Sequence, residues 1–487
     1  MNTPLRRVGL AMIVMVLLLL VNATYIQVIK ADDYRSDPRN QRVLLDEYSR
    51  QRGLILDTDS DTIANVKSTN DRLRYQRIYP KGPLYAPVTG YYSVLYGSSG
   101  IEQAEDEVLN GSDDRLFVRR LSDLITGRDP RGGNVQLAID PKVQKAAYDA
   151  MTASHFRGAV VAIKPDTGEI LGMVSTPSYN PNPLSSHDSK TQQQAKTKLD
   201  AEANRPLTNR AIDETYPPGS TFKLVVASAA LSKGMGPNTR VPSEPTIALP
   251  AGGGTTLSNF AFETCPGNTM FAALAHSCNT AFAYLAGRVG AQSLRNQAAK
   301  FGIGQSDLQI PLPVAASSVG DIADKASLYQ SGIGQRDVRL TPLQNAMVSA
   351  TIANGGVRMT PQLVKKILAP DLETVQDFSP QEEDQAISPQ VAETLKRMME
   401  ASEDNTSGGG KRPDIRIASK TGTAEHGTDP KNTPPHAWYT AFAPADNPQI
   451  AVAVIVEDGG NRGLAATGGK VAASIGRAAI NARVGGG

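Results

Sequence analysis

The chain is short of the residues from which most reactive centres are built. Its 487 residues include two cysteines, five histidines and one tryptophan, and aromatics make up only 5%. Cys265 and Cys278 are too few for a disulfide framework and too isolated for a zinc cluster. No His-x-His or His-Glu-x-x-His spacing occurs, so the usual ligand patterns of a catalytic metal are missing and neither metal nor cofactor is expected. Charge of one sign is lacking too. Fifty Lys and Arg against 48 Asp and Glu leave a net charge of +2, which provides no field for gathering nucleic acid. There is no internal repeat.

Long hydrophobic runs are absent except at the start. Arg6 and Arg7 precede an unbroken apolar stretch over residues 8–21, which continues less purely through Asn22, Thr24 and Gln27 to Ile29. The extended run reaches the roughly 20 residues that a membrane helix needs. Residues 1–30 therefore read as a cytoplasmic stub and transmembrane anchor, with the two arginines holding the N-terminus inside. The alternative is a signal peptide cleaved near Ala23, after Val21-Asn22. Both readings export the bulk of the chain.

Residues 31–154 are polar, turn-rich and short-elemented, and read as a non-catalytic spacer and docking domain. The character changes at Gly158. A buried hairpin is expected over residues 158–174, turning at Pro165-Asp166-Thr167-Gly168. A surface helix or loop follows over 185–204. Helical patterns appear after Ser220, over 270–289 and from Thr341-Pro342, and residues 402–413 read as a mobile loop. Three strand-like runs, 415–424, 437–443 and 450–457, precede a last helix near Gly469 and a frayed tail, 485–487. This order is α+β, with the early hairpin and late strands completing one antiparallel sheet across a catalytic domain of residues 155–484.

Three short motifs carry the chemistry. Pro217-Pro218-Gly219-Ser220-Thr221-Phe222-Lys223 sets a hydroxyl and an amine three residues apart at an expected helix start, on one face. Serine needs an adjacent base to act as a nucleophile, and Lys223 is the candidate. Ser-x-x-Lys occurs once among the chain's lysines, and Lys-Thr-Gly occurs once, at Lys420-Thr421-Gly422. Of three Ser-x-Asn occurrences, only Ser277-Cys278-Asn279 lies between those two. Together and in this order, the set is that of penicillin-binding proteins and serine β-lactamases.

The chain resembles the class B penicillin-binding proteins, the peptidoglycan D,D-transpeptidases, over nearly its whole length. Arg52-Gly53-Leu54-Ile55-Leu56-Asp57, Ala353-Asn354-Gly355-Gly356 and Pro435-His436-Ala437-Trp438-Tyr439 add to the likeness. Asn40-Gln41-Arg42-Val43-Leu44-Leu45-Asp46-Glu47-Tyr48 and the short N-terminal module resemble the actinobacterial penicillin-binding protein A subgroup. The resemblance implies a β-lactamase-like transpeptidase fold: an antiparallel sheet flanked by helices, with a smaller N-terminal domain and one membrane helix. It implies that Ser220 attacks a D-Ala-D-Ala stem peptide and releases D-Ala, while an acceptor amine closes a cross-link. Ser277 would relay a proton to the leaving amine, and Asn279 would hold the substrate amide. Lys420, Thr421 and Thr423 would receive the carboxylate, and Gly422 would let substrate lie along the strand. The backbone N–H groups of Ser220 and Thr423 would form the oxyanion hole. Burial and the charge of Lys420 would keep Lys223 neutral. Implied partners are stem peptides, β-lactams, the membrane, a polytopic shape, elongation, division and sporulation-family glycosyltransferase and division proteins.

Other readings remain open. Ser220 or Ser277 can cap a helix instead, and Lys420 can be a solvated edge-strand lysine. His436 and Trp438 read as sheet-packing residues. A D,D-carboxypeptidase or β-lactamase uses the same acyl-enzyme, and a β-lactam sensor or scaffold needs no turnover; the anchor and extra domain favour synthesis, and a sensor would carry an output domain before Val8. Export permits a disulfide between Cys265 and Cys278, worth about 3 kcal/mol in the entropic model, while two free thiols is the other state.

Overall fold

The structure, a computed structural model, describes residues 2–30, 48–117, 131–250, 254–308 and 310–485. Residues 40–47 of the subgroup stretch, the expected domain start at residue 31 and the last two residues of the tail lie outside the described residues. Helix Asn2–Thr24 runs on into one π-turn, Tyr25–Ile29. Its apolar part, Arg6–Ile29, has a mean hydropathy of 2.3 and none of it is buried. At 1.5 Å per residue it is about 36 Å long, enough by length and composition to cross a bilayer core of ~30 Å.

A six-stranded sheet follows, in the order Thr374–Asp377, Val364–Leu368, Asn134–Leu137, Ile55–Leu56, Thr62–Ser68, Tyr75–Ile78. Only the Ile55–Leu56 pairing with Asn134–Leu137 is parallel. Its edge strand Tyr75–Ile78 contributes Arg77 to a buried charge cluster. Arg52 Nε donates to Glu102 Oε2 at 2.7 Å, Arg77 Nε to Glu102 Oε1 at 2.6 Å, and the Tyr79 hydroxyl to the same oxygen at 3.0 Å. Burial pushes the Glu102 carboxyl up, but Arg77 and Arg52 outweigh it and hold it below the usual range. The Arg-Gly-Leu-Ile-Leu-Asp motif is thus structural: Arg52 docks on Glu102, and a side chain at Gly53 would meet the Gly133 carbonyl oxygen at 1.7 Å.

The catalytic half is built on five antiparallel strands, β1 Gly158–Ile163, β2 Ile170–Thr176, β3 Ala418–Ala424, β4 His436–Ala443 and β5 Ile450–Val456, in the order β3-β4-β5-β1-β2. As expected, early hairpin and late strands share one sheet. In β5 alternate residues face opposite ways. Val452 and Val454 pack with Val143, Met151, Ile475 and Ile480 of helices α1, Pro141–Ala153, and α6, Ala473–Val484. Ala451, Ala453 and Ile455 belong to the larger core beneath the helical region, which includes α2 Lys223–Ser232, α3 Asn279–Val289, α4 Pro342–Ala353 and α5 Pro389–Asp404. Both faces are covered, so the strand reads as a continuous apolar run.

The 185–204 excursion is a surface helix, one of the two readings expected for it: Ser189–Ala201, capped by Asp188. α1 lies on the sheet of β1 to β5, while Val364–Leu368 and Thr374–Asp377 pair into the N-terminal one. Two expectations change. The helical pattern over 270–289 breaks into Met270–Ala275 and α3, because Ser277 adopts a left-handed backbone, φ +59°. The loop over 402–413 is anchored rather than free. Its first residues belong to α5, and the buried Arg477 gathers the carbonyls of Ser407, Gly408 and Gly409 at 2.7–3.1 Å.

Truncating Glu102 strands two buried guanidinium groups. We expect Glu102→Ala to cost about 3–5 kcal/mol, read as an earlier denaturation midpoint, whereas a change under 1 kcal/mol would show the cluster to be dispensable.

Candidate active site

Ser220 lies in a 3₁₀ turn, Gly219–Phe222, that leads directly into α2. The expected α-helical first turn is therefore tighter, and with three residues per turn Ser220 and Lys223 are nearly eclipsed. The turn is wedged in place by glycines. Gly219 has φ +52°, and a Cβ there would sit 2.6 Å from the Thr423 carbonyl oxygen. Its N–H donates to the Gly334 carbonyl at 2.9 Å, and a Cβ on Gly334 would meet the Gly219 oxygen at 2.0 Å. The buried Trp438 donates its indole N–H to the Pro217 carbonyl at 2.9 Å.

Gly422 takes on a different explanation here. A Cβ at this position would meet the Pro218 carbonyl oxygen at 2.9 Å and Trp438 Cβ at 3.0 Å. The space it leaves is filled by the turn that carries Ser220, so its first task is to let that turn approach β3.

Two buried lysines converge on Ser277. Lys223 Nζ lies 2.7 Å from the Ser277 carbonyl oxygen, 2.7 Å from Asn279 Oδ1 and 3.4 Å from Ser277 Oγ. Lys420 Nζ donates to Ser277 Oγ at 2.7 Å and to the Thr421 carbonyl at 2.9 Å. Both side chains are fully buried, which excludes a solvated edge lysine even though β3 is the sheet's edge strand. Burial pushes Lys223 well below its ordinary value, and the like charge of Lys420 pushes the same way. Burial brings Lys420 down to about 7. A neutral lysine has two N–H donors and one lone pair. The Ser277 and Asn279 oxygens take both donors of Lys223, which leaves the lone pair to accept a proton. Ser220 Oγ itself is not hydrogen-bonded to either lysine. Ser277 caps no helix; its hydroxyl accepts from Lys420.

Asn279 starts α3 with both ends of its amide engaged, Oδ1 by Lys223 and Nδ2 by the Ser258 carbonyl at 3.0 Å. It orients the lysine as much as it faces any substrate. Thr421 and Thr423 are half-buried on β3, paired opposite Tyr439 and Ala437. Cys265 and Cys278 form a disulfide, Cα to Cα 5.8 Å, which ties the Ser277 wall to the segment before it.

Sequence reasoning missed Asn259, Gly334 and Asn345. Asn259 is buried, and its Oδ1 accepts the N–H groups of Asn279 and Thr280 at 2.8 and 3.0 Å, capping α3 from a distant loop. Asn345 Nδ2 donates to Thr221 Oγ1 at 3.2 Å. None lies at a motif spacing; only the helix signal at Thr341-Pro342 pointed near Asn345.

His426, His436 and Asp458 bring their ligand-type atoms within 4.8 Å of one another. The rings stack at 3.7 Å and 5°, so their lone pairs lie in separate parallel planes, and His436 Nδ1 already accepts the Asp458 N–H. Burial above all, then His426, hold His436 at about 3, a neutral packing residue. The arrangement suits a structural brace better than a metal centre.

This architecture is that of a family. The chain belongs to the penicillin-binding proteins: the model of the penicillin-binding protein transpeptidase domain matches residues 158–481, and that of the penicillin-binding protein A dimerisation domain matches residues 52–135. Within the family it is a class B enzyme closely related to actinobacterial PbpA. It is 56% identical to the peptidoglycan D,D-transpeptidase PbpA of Mycolicibacterium smegmatis and 51% identical to that of Mycobacterium tuberculosis, each over 99% of both chains. The ceftriaxone acyl-enzyme of M. tuberculosis penicillin-binding protein A superposes with a TM-score of 0.88 at 51% identity, over 90% of this chain and 100% of that one.

A lysine held neutral by burial costs the fold stability. The folded value of Lys420, about 7, lies below the unfolded value near 10.4, so between these limits the unfolded chain binds the extra proton and stability rises with pH. We expect Lys420→Met to raise Tm at pH 7 by about 3–8 °C, with the gain shrinking toward pH 10. A lower Tm across that range would contradict it.

Proposed function

We propose that the chain is a peptidoglycan D,D-transpeptidase working through a serine acyl-enzyme, with Ser220 as the nucleophile. The observation that carries this reading is the convergence of Lys223 and Lys420 on Ser277, beside the wedged turn that presents Ser220. Lys223, uncharged, takes the Ser220 proton as the hydroxyl attacks the penultimate D-Ala carbonyl. The backbone N–H groups of Ser220 and Thr423 hold the oxyanion, each worth roughly 3 kcal/mol in the transition state. The proton passes through Ser277 to the departing D-Ala amine, and an acceptor amine then takes the acyl group. Lys420, Thr421 and Thr423 receive the terminal carboxylate; a carboxylate arriving beside Lys420 stabilises its charged form. Asn279 holds Lys223 in place and offers its remaining acceptor capacity to the substrate amide.

The ceftriaxone, imipenem and penicillin G acyl-enzymes of the M. tuberculosis relative support inhibition of this chain by β-lactams, a reaction this reading assigns to Ser220. Helix Arg6–Ile29 supports membrane association. The finer reading is a single-pass anchor, with Arg6 and Arg7 cytoplasmic and the catalytic domain outside. A polytopic glycosyltransferase contacted through that helix and the N-terminal domain, with division proteins, fits a role in division or cell shape.

Labelling with a fluorescent penicillin tests the nucleophile: Ser220→Ala should abolish the labelled band, and retained labelling would exclude Ser220. Acylation by carboxylate-bearing β-lactams should decline as pH rises through about 7, as Lys420 loses its proton in the free enzyme. Lys420→Arg should remove that alkaline limb, because guanidinium stays charged; an unshifted limb in the variant would assign it to another group.

A further inference from the structure

The wall that carries Ser277 also holds two phenylalanines out into solvent. Phe260 and Phe262 are 68% and 72% exposed, the most exposed phenylalanines among the described residues. They flank Ala261, and Ala261 and Phe262 are both left-handed, φ +51° and +57°, a conformation that residues other than glycine adopt at a cost. The loop is fastened on each side. Asn259 binds the N–H groups of Asn279 and Thr280 and donates to the Glu244 and Glu263 carbonyls. Cys265, just beyond, is bonded to Cys278 and gives its N–H to Ser243. The phenyl rings therefore ride on the same body as Ser277 and Asn279, and the fold spends backbone strain to display them.

Chemistry decides what passes this rim. If Ser277 hands a proton to the departing amine, then by microscopic reversibility the incoming amine delivers its own proton to the same group. The acceptor nitrogen attacks the acyl carbonyl, forming a C–N bond as the bond to Ser220 Oγ breaks. The amine proton leaves through Ser277 and Lys223, and Ser220 recovers its hydroxyl. The acceptor amine is thus placed at the Ser277 wall. We propose that Phe260 and Phe262 form an acceptor subsite that grips the alkyl chain carrying the attacking primary amine, and so favours aminolysis over hydrolysis. This rests on the transpeptidase reading above.

The test uses the full chain in detergent, acylated from a stem-peptide thioester. Acceptors are Nα-acetyl diamino acid amides, lengthened one methylene at a time from diaminopropionate to lysine. In the wild type the ratio of aminolysis to hydrolysis should climb with each methylene by up to about fourfold, the factor equivalent to ~0.8 kcal/mol per buried CH₂. In the Phe260→Ala/Phe262→Ala double variant the slope should vanish, and in the corresponding leucine double variant it should largely return. Fluorescent-penicillin acylation is followed in parallel. A slope unchanged in the alanine variant overturns the subsite. So does a fall in aminolysis matched by an equal fall in penicillin acylation, which would mean that the wall itself had shifted. Hydrolysis without any aminolysis in the wild type would instead remove the transpeptidase reading, and the subsite with it.

Discussion

Two ammonium groups do not share a dry site willingly. Lys223 and Lys420 are both fully buried and both reach Ser277, so at least one of them must give up its charge. That constraint organises the site. Lys223, with burial and a like charge against it and no acid among its hydrogen-bond partners, is the one that stays neutral. Lys420, poised about 7, can be made cationic by an arriving anion. One conflict can thus supply both the base and the anion receptor of the proposed reaction.

Holding the serine against this pair is a problem of backbone clearance. Pro217 to Ser220 passes between β3 and the loop at Gly334, with carbonyl oxygens where side chains would otherwise be. Gly219, Gly334 and Gly422 each vacate the volume of a methyl group, and Trp438 closes the floor from the neighbouring strand. The place of Ser220 is set by backbone packing on three sides, while its hydroxyl makes no hydrogen bond to either lysine.

The motifs of the candidate site were legible because their chemistry is rare: one Ser-x-x-Lys and one Lys-Thr-Gly in the whole chain. The sheet was legible as well, since β1, β2 and β5 are apolar runs of strand length bounded by turns. What resisted reading depended on distant partners. Nothing near Asn259 in sequence announces that it caps α3, 20 positions on. The helix over 270–289 looked continuous because its break is a left-handed serine, and serine carries no such signal. Gly422 seemed to serve a ligand, but the nearest atom to its missing side chain belongs to Pro218. Equally silent in sequence is the pairing of Val364–Leu368 and Thr374–Asp377 into the N-terminal sheet, far along the chain from its other strands.

That exchange of strands sets a timetable. As the chain emerges, the edge of the N-terminal sheet beside Asn134–Leu137 stays unpaired until residue 368 has arrived, long after the rest of that module is available. An open edge invites other strands. The module can finish only once most of the catalytic half exists, and the two halves mature together. Strain applied to the N-terminal sheet has a covalent route to the segment that follows α4, so the parts are stitched where a linear division of the chain would have cut them.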